Sequence, residues 1–541
     1  MHADLLFTGG PVLTPEGRTA TAVAVTGDRV TAVGGHELRD LAGPRTEAVD
    51  LAGRLLLPGF QDAHVHPVPA GLELTQCDLT GTTTAEETVA AVRAYADAHP
   101  EREWILGGGW SMEAFAGGTP AKELLDAVVP DRPVYLPNRD HHGAWVNSRA
   151  LELAGIDRDT PDPADGRIER DASGEPGGTL QEGAMQLVGR LAPPATPADR
   201  LAALLHAQRH LHALGITAWQ DALVGDFLGM DDPAEAYLTA ARDGSLTARV
   251  RGALWWDRER GAEQLPELVE KRAVLSHGRF RAGTVKLMLD GVAENHTAAL
   301  LDPYLDRCGC ASANRGKSFI DPAHLPEYVV ELDALGFQCH FHALGDRAVR
   351  DALDAVEAAR AANGPSDTRP HLAHLQVVHP DDVPRFARLG ATANIQPLWA
   401  AHEPQMDELT IPFLGPERAA RQYPFGGLLR SGARLAAGSD WPVSSPDPLQ
   451  GIHVAVNRIE PGGTGPVFLP GERLGLTDAL TAYTAGSAYV NHLDDTGRVA
   501  VGALADLVVL DRDPFAGPPE AIAETAVTLT YVGGERVYGA G

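Results

Sequence analysis

The chain has 541 residues, 44% apolar and 22% charged, a composition that suits a packed globular protein and excludes a disordered or fibrous one. Its formal charge of −28 argues against nonspecific binding to nucleic acid or anionic membrane, both of which need clustered Lys and Arg. Four scattered cysteines, no basic-then-apolar leader and no apolar run of bilayer length point to a cytoplasmic protein without a disulfide framework.

In chain order, residues 1–57 read as short strands joined by Gly-containing turns: Leu5–Thr8, Ala22–Val25 and Val30–Val33. The other end repeats the pattern with Ala505–Leu510, Val527–Val532 and Glu535–Tyr538. Two β-rich ends flanking an α/β middle predict that 1–57 and 493–541 join as one composite β-sandwich domain. Between them strands and helices alternate, which argues for a parallel sheet. The candidate strands are Leu55–Phe60, Ile216–Asp221, Val250–Trp256, Thr284–Asp290, Gln338–Ala343, Leu372–Val378, Ala393–Leu398 and Leu435–Asp440. Helical patterns separate several of them, as over Ala198–Leu214, Asp346–Ala362 and Asp381–Leu389. Eight strands favour a closed (β/α)8 TIM barrel over 58–492, with an ordinary doubly wound sheet as the alternative. The long gap after the first strand predicts an insertion at about 75–195 over the barrel mouth.

Leu57-Pro-Gly-Phe-Gln-Asp-Ala-His-Val-His-Pro67 places His64 and His66 two residues apart at a strand end, on one face of extended chain, so both imidazoles can reach one ion. A bare His-x-His is weak evidence. Its place at the C-terminal end of a barrel strand, where barrel active sites sit, strengthens it. Later strands end in matching groups: His340 and His342 on the fifth, His374 on the sixth and Asp440 on the eighth. Each alone also reads as a packed core residue or a cap. In a regular strand His371 points away from His374 and ranks below it. His206 and His210 lack the Glu of a His-Glu-x-x-His site, and Cys308-Gly-Cys310 lacks a second cysteine pair. Only four of the 45 basic residues are lysines, so Lys286 inside an apolar strand stands out.

These pieces, with Trp145-Val-Asn-Ser-Arg-Ala-Leu151, Asp290-Gly-Val-Ala-Glu-Asn295, His342-Ala-Leu-Gly-Asp-Arg-Ala348, Gly438-Ser-Asp-Trp-Pro442 and Gly502–Asp511, resemble family 3 of the amidohydrolase superfamily across nearly the whole chain. Within it the chain is similar to the YtcJ-like proteins and the N-substituted formamide deformylases. The resemblance implies that His64, His66 and Asp440 hold a more buried metal and that His342 and His374 hold a second. It also implies a carbamylated Lys286 as the bridge, because a carbamate offers two anionic oxygens where an ammonium would repel cations. The competing reading of Lys286 is an unmodified lysine paired with an acid such as Asp290. One or two divalent ions per chain are expected, zinc first, with manganese or iron as alternatives. Trp110, His142, Glu182 and His340 are candidates for substrate contact, with an exposed helix-start position as the rival reading of Glu182. Strand six departs from the family wording, with Ala373 where an acidic residue often precedes the ligand histidine.

The implied reaction is hydrolysis of a non-peptide amide or formamide-type C–N bond of a small molecule by metal-activated hydroxide, Asp440 taking the proton and passing it to the departing nitrogen. Two alternatives remain. One is a mononuclear hydrolase of another bond such as an ester. The other is a catalytically silent metal-binding or regulatory homologue. A homo-oligomer is compatible with the sequence, and no Gly-rich phosphate loop or serine nucleophile elbow stands out.

Overall fold

The computed structural model describes residues 2–226 and 232–539; residues 1, 540 and 541, counted above with the terminal unit, lie outside them. Strands from both chain ends share one eight-stranded sheet. Leu5–Thr14 pairs antiparallel with Gly17–Thr26, and that strand with Arg29–Gly34. Leu507–Leu510 pairs antiparallel with Leu56–Pro58 and with Val527–Val532. The period-two pattern explains the join: Leu5, Phe7, Val23 and Val25 turn to the same side as Leu507 and Val509 and bury one apolar cluster with them.

The expected first barrel strand, Leu55–Phe60, divides between two sheets. Leu56–Pro58 belongs to the terminal sheet, and barrel strand β1 starts only at Phe60 (Phe60–Val65). Gly59 is the pivot. A Cβ there would stand 2.4 Å from the Thr217 side chain, so only glycine lets the chain cross so close to the next strand. The remaining strands follow as β2 (Ile216–Val224), β3 (Arg249–Trp255), β4 (Phe280–Met288), β5 (Gln338–Ala343), β6 (His371–His374), β7 (Thr392–Ile395) and β8 (Leu435–Ala437). All pair in parallel in sequence order. Just past the ends of β1 and β8 the sheet closes on itself. The Asp440 N–H donates to the His64 carbonyl at 2.8 Å, and the His66 N–H to the Trp441 carbonyl at 2.9 Å.

Helices cover the outside through apolar stripes. Pro197–Ala213 starts at a Thr196 capping box and buries Ala203, Leu204, Ala207 and Leu211. Asp346–Asn363 buries Ala348, Val349, Ala352, Leu353 and Val356. The segment after β1 builds a six-stranded sheet of its own, from Cys77–Asp78 to Pro176–Glu182, around a core that includes Trp110, Phe115 and Trp145. Its loops carry Asp140, His141 and His142 to the cavity at the strand ends of the barrel. Among the described residues no helix is long and apolar enough to cross a membrane.

Candidate active site

Five barrel strands deliver the site. On β1, alternation puts Asp62 and His64 on the inner face and His66 just beyond. Asp62 ties this end to β8: its carboxylate accepts the N–H of His64 at 2.9 Å and that of Ser439 at 3.2 Å. Burial pushes Asp62 up to about 7. After β8, Asp440 takes a left-handed backbone (φ 57°), a conformation uncommon outside glycine and costly unless the surroundings impose it.

Three groups converge: ligand atoms of His64, His374 and Asp440 lie within 4.8 Å of one another, all buried. Both His64 Nε2 and His66 Nε2 stand 3.1 Å from Asp440 Oδ1, yet that oxygen makes no hydrogen bond. His374 is 1% exposed, and neither of its ring nitrogens has a partner. Buried polar atoms are nearly always hydrogen-bonded, so unpaired nitrogens and an unpaired carboxylate oxygen aimed at one point are what a cation would satisfy. Protonation agrees. Burial, with the charge of Lys286, holds His64 down at about 3, and burial puts His374 and His342 well below the usual imidazole range. Neutral imidazoles keep the lone pairs a metal needs. Burial alone would raise Asp440, but the neighbouring His64 and His66 outweigh it and keep it an anion.

Lys286 on β4 points to the same place, Nζ 3.3 Å from His64 Nε2. Burial lowers it to about 7, despite the opposing charges of Asp440 and Asp221. It is not paired with Asp290. That carboxylate accepts backbone N–H groups of Ala299, Leu344 and Gly345 at 2.9, 3.1 and 2.9 Å and lies 3.3 Å from His342 Nδ1. A cavity of about 70 Å3 opens onto His64, His66, Lys286, His342, His374 and Asp440, with His141 and His142 on its far wall.

Three expectations about substrate contact change. His340 does not reach the cavity: it is fully buried below it, Nε2 2.9 Å from His64 Nδ1, and positions that ring. Trp110 packs in the insertion core against Phe115 and Trp145, its indole N–H donating to the Leu136 carbonyl at 2.7 Å. Glu182 does stand at a helix start, that of the short 3-10 turn Gly183–Met185, but it is not exposed. It is 0% exposed and accepts from His142 Nδ1 at 2.9 Å and from the Thr297 hydroxyl at 2.6 Å. It therefore holds His142, which lines the cavity with its ring 5.5 Å from that of His342. Burial would push His142 down, but Glu182 overrides it and raises His142 to about 9, an imidazolium facing the cavity.

His371 also differs from its expected placement. β6 is not regular to its end, since His374 and Leu375 both have positive φ (79° and 53°). The twist brings His374 inward beside His371, which sits deeper, 3.0 Å from Gln220 Oε1. Sequence reasoning passed over Asp62 and His141. The Asp-x-His-x-His alternation was a signal for the first. The second had only its place beside His142.

A model of the Amidohydrolase family matches residues 47–538. The chain is 34% identical to Protein LONG AFTER FAR-RED 3 of Arabidopsis thaliana over 99% of this chain and 92% of that one. It is 28% identical to the N-substituted formamide deformylase of Arthrobacter pascens, over 99% and 98%. Among solved structures it resembles an uncharacterized metal-dependent hydrolase from Pyrococcus furiosus, with a TM-score of 0.71 and 28% identity over 94% of this chain and 99% of the other.

Proposed function

The chain belongs to the amidohydrolase family, and from that premise we propose that it is a divalent-metal-dependent hydrolase that cleaves a non-peptide, amide or formamide-type C–N bond of a small molecule. The observation that carries this reading is the convergence of His64, His374 and Asp440, with both ring nitrogens of His374 and Oδ1 of Asp440 buried and unpaired.

A divalent ion bound there, zinc first with manganese or iron as alternatives, supplies Lewis acidity and a water acidified toward neutral pKa. His64, His66 and Asp440 would hold it, and His342 and His374 would hold a second. Lys286 supports the bridge: at about 7 much of it is neutral amine, the form that can take up CO2 as a carbamate. Asp440, kept anionic, takes the proton of the attacking water and hands it to the departing nitrogen. His142 faces the cavity as a cation and is placed to donate a hydrogen bond to the oxyanion that develops on the substrate carbonyl.

A one-ion reading has support of its own, since the tight group comprises His64, His374 and Asp440 while His342 Nδ1 is turned to Asp290. Metal content per chain, measured on protein purified without chelator, separates the two, and hydrolysis of N-substituted formamides and N-acyl amines tests the reaction. Two ions with chelator-sensitive turnover is the expected result, and one ion demotes Lys286. No ion and no turnover, even after zinc or manganese is added with bicarbonate, turns the case to a silent homologue.

A further inference from the structure

Next to the metal cavity, and sharing Asp140, Pro442 and Val443 with it, lies a chamber of about 460 Å3, the size of a small-molecule site. One part of its wall is apolar, with Leu398, Trp399, Tyr423 and Trp441. Trp399 lies flat on His374, ring planes 7° apart and centroids 5.2 Å apart, so this wall runs directly to a candidate metal ligand.

The other part is acidic, formed by Glu73, Asp78, Asp140, Glu294, Glu403 and Glu460. Arg139 is the only cation among the described lining residues, and it is already engaged, 3.3 Å from Glu113 and 3.8 Å from Glu403. Glu294 accepts from the Thr410 hydroxyl at 2.8 Å and Asp140 from the backbone N–H of His142 at 2.8 Å, and the charge of the His142 ring acts on both. Glu73 is the clearest case. It is 9% exposed, its Oε2 is buried with no hydrogen-bond partner, and its Oε1 stands 3.2 Å from the Nε2 of His141. That ring offers no charge, since burial holds His141 down at about 4. Burial likewise pushes Glu73 up to about 8 and Glu403 up to about 7. Glu73, desolvated with no charged protein partner beside it, is stabilised as an anion by a cation that a ligand brings, and aromatic walls add to that attraction.

We propose that this chamber receives a cationic group of the substrate, an ammonium or guanidinium carried on an apolar spacer from the scissile amide. The proposal rests on the reading of the chain as an amide hydrolase and names the class of amide.

The test compares mono-N-formyl derivatives of straight-chain diamines with N-formyl alkylamines of the same chain length, using metal-loaded protein. At the best chain length kcat/KM for the cationic member should exceed that of its neutral partner by roughly tenfold or more, as expected for one charge pair in a partly desolvated site. That ratio should fall toward one in Glu73→Gln and, independently, in Glu403→Gln, two variants that keep side-chain size. Equal or better hydrolysis of the neutral member at every length overturns the proposal and leaves the amide-hydrolase reading standing. If neither member is hydrolysed, the hydrolase reading fails on this series, and calorimetric titration with the free diamines decides the chamber. Binding that weakens roughly tenfold or more in Glu73→Gln supports it; no binding, or binding unchanged by both substitutions, overturns it.

Discussion

Glu182→Gln separates charge from shape at the cavity wall. Glutamine can keep both contacts of the native side chain, its carbonyl accepting from His142 and its amide donating to the Thr297 hydroxyl, which can act as acceptor. What disappears is the negative charge that lifts His142 from the ordinary 6.5 to about 9 against the opposing effect of burial. At 1.36 kcal/mol per unit, a rise of that size corresponds to about 3 kcal/mol of stability. The folded value lies above the unfolded one, so this stability is fully present below about pH 6.5 and is lost as pH rises through about 9. Thermal melting of wild type and variant across that window should show the widest Tm gap at the acid end. The gap should narrow with rising pH and close or reverse above about 9, where the native carboxylate is left without its cation. At pH 7 the variant's His142 is neutral, and kcat should fall by roughly tenfold or more with the loss of a charged donor. A Tm gap that is absent, or constant across the whole window, would refute the ion pair.

Other substitutions probe the centre. Asp440→Asn should reduce turnover by roughly a hundredfold or more while circular dichroism stays native, and activity above about a tenth of wild type would remove its proton-transfer role. His340→Ala should weaken metal affinity about 10–100-fold by releasing the His64 ring, read by titration against a chelating dye. Unchanged affinity would make His340 simple packing. Lys286→Ala should lose one of two bound ions by elemental analysis and recover part of its activity with a short carboxylate in the buffer; equal metal content in both proteins would rule out the bridge.

Much of the barrel was legible because its strands are apolar runs spaced by helical patterns, and their ends carry His and Asp. The failures have local causes. Pro58 and Gly59 hand the chain from one sheet to another inside a single apolar run, which periodicity cannot show. At His374 a positive φ breaks the two-residue alternation, so a face argument misplaced His371 relative to it. For Glu182 neither substrate contact nor an exposed helix start describes its place, because its partners, His142 and Thr297, stand 40 and 115 residues away in the chain. Trp110 carried no signal to tell a core aromatic from a cavity one. The acidic chamber gathers residues from segments as distant as Glu73 and Glu403, so no stretch of sequence looks acidic on its account.

The joining of both chain ends in one sheet bears on how the protein is made. Leu507–Leu510 pairs with Leu56–Pro58, and the Gly59 N–H donates to the Asp506 carbonyl at 2.8 Å, five residues before His64. On the ribosome, the segment that leads into His64 and His66 therefore lacks its flanking strand until residues past 500 have been synthesised. A nascent or prematurely terminated chain would leave Leu56–Pro58, the strand that leads into β1, without its C-terminal partner, so the terminal sheet is complete only when the polypeptide is.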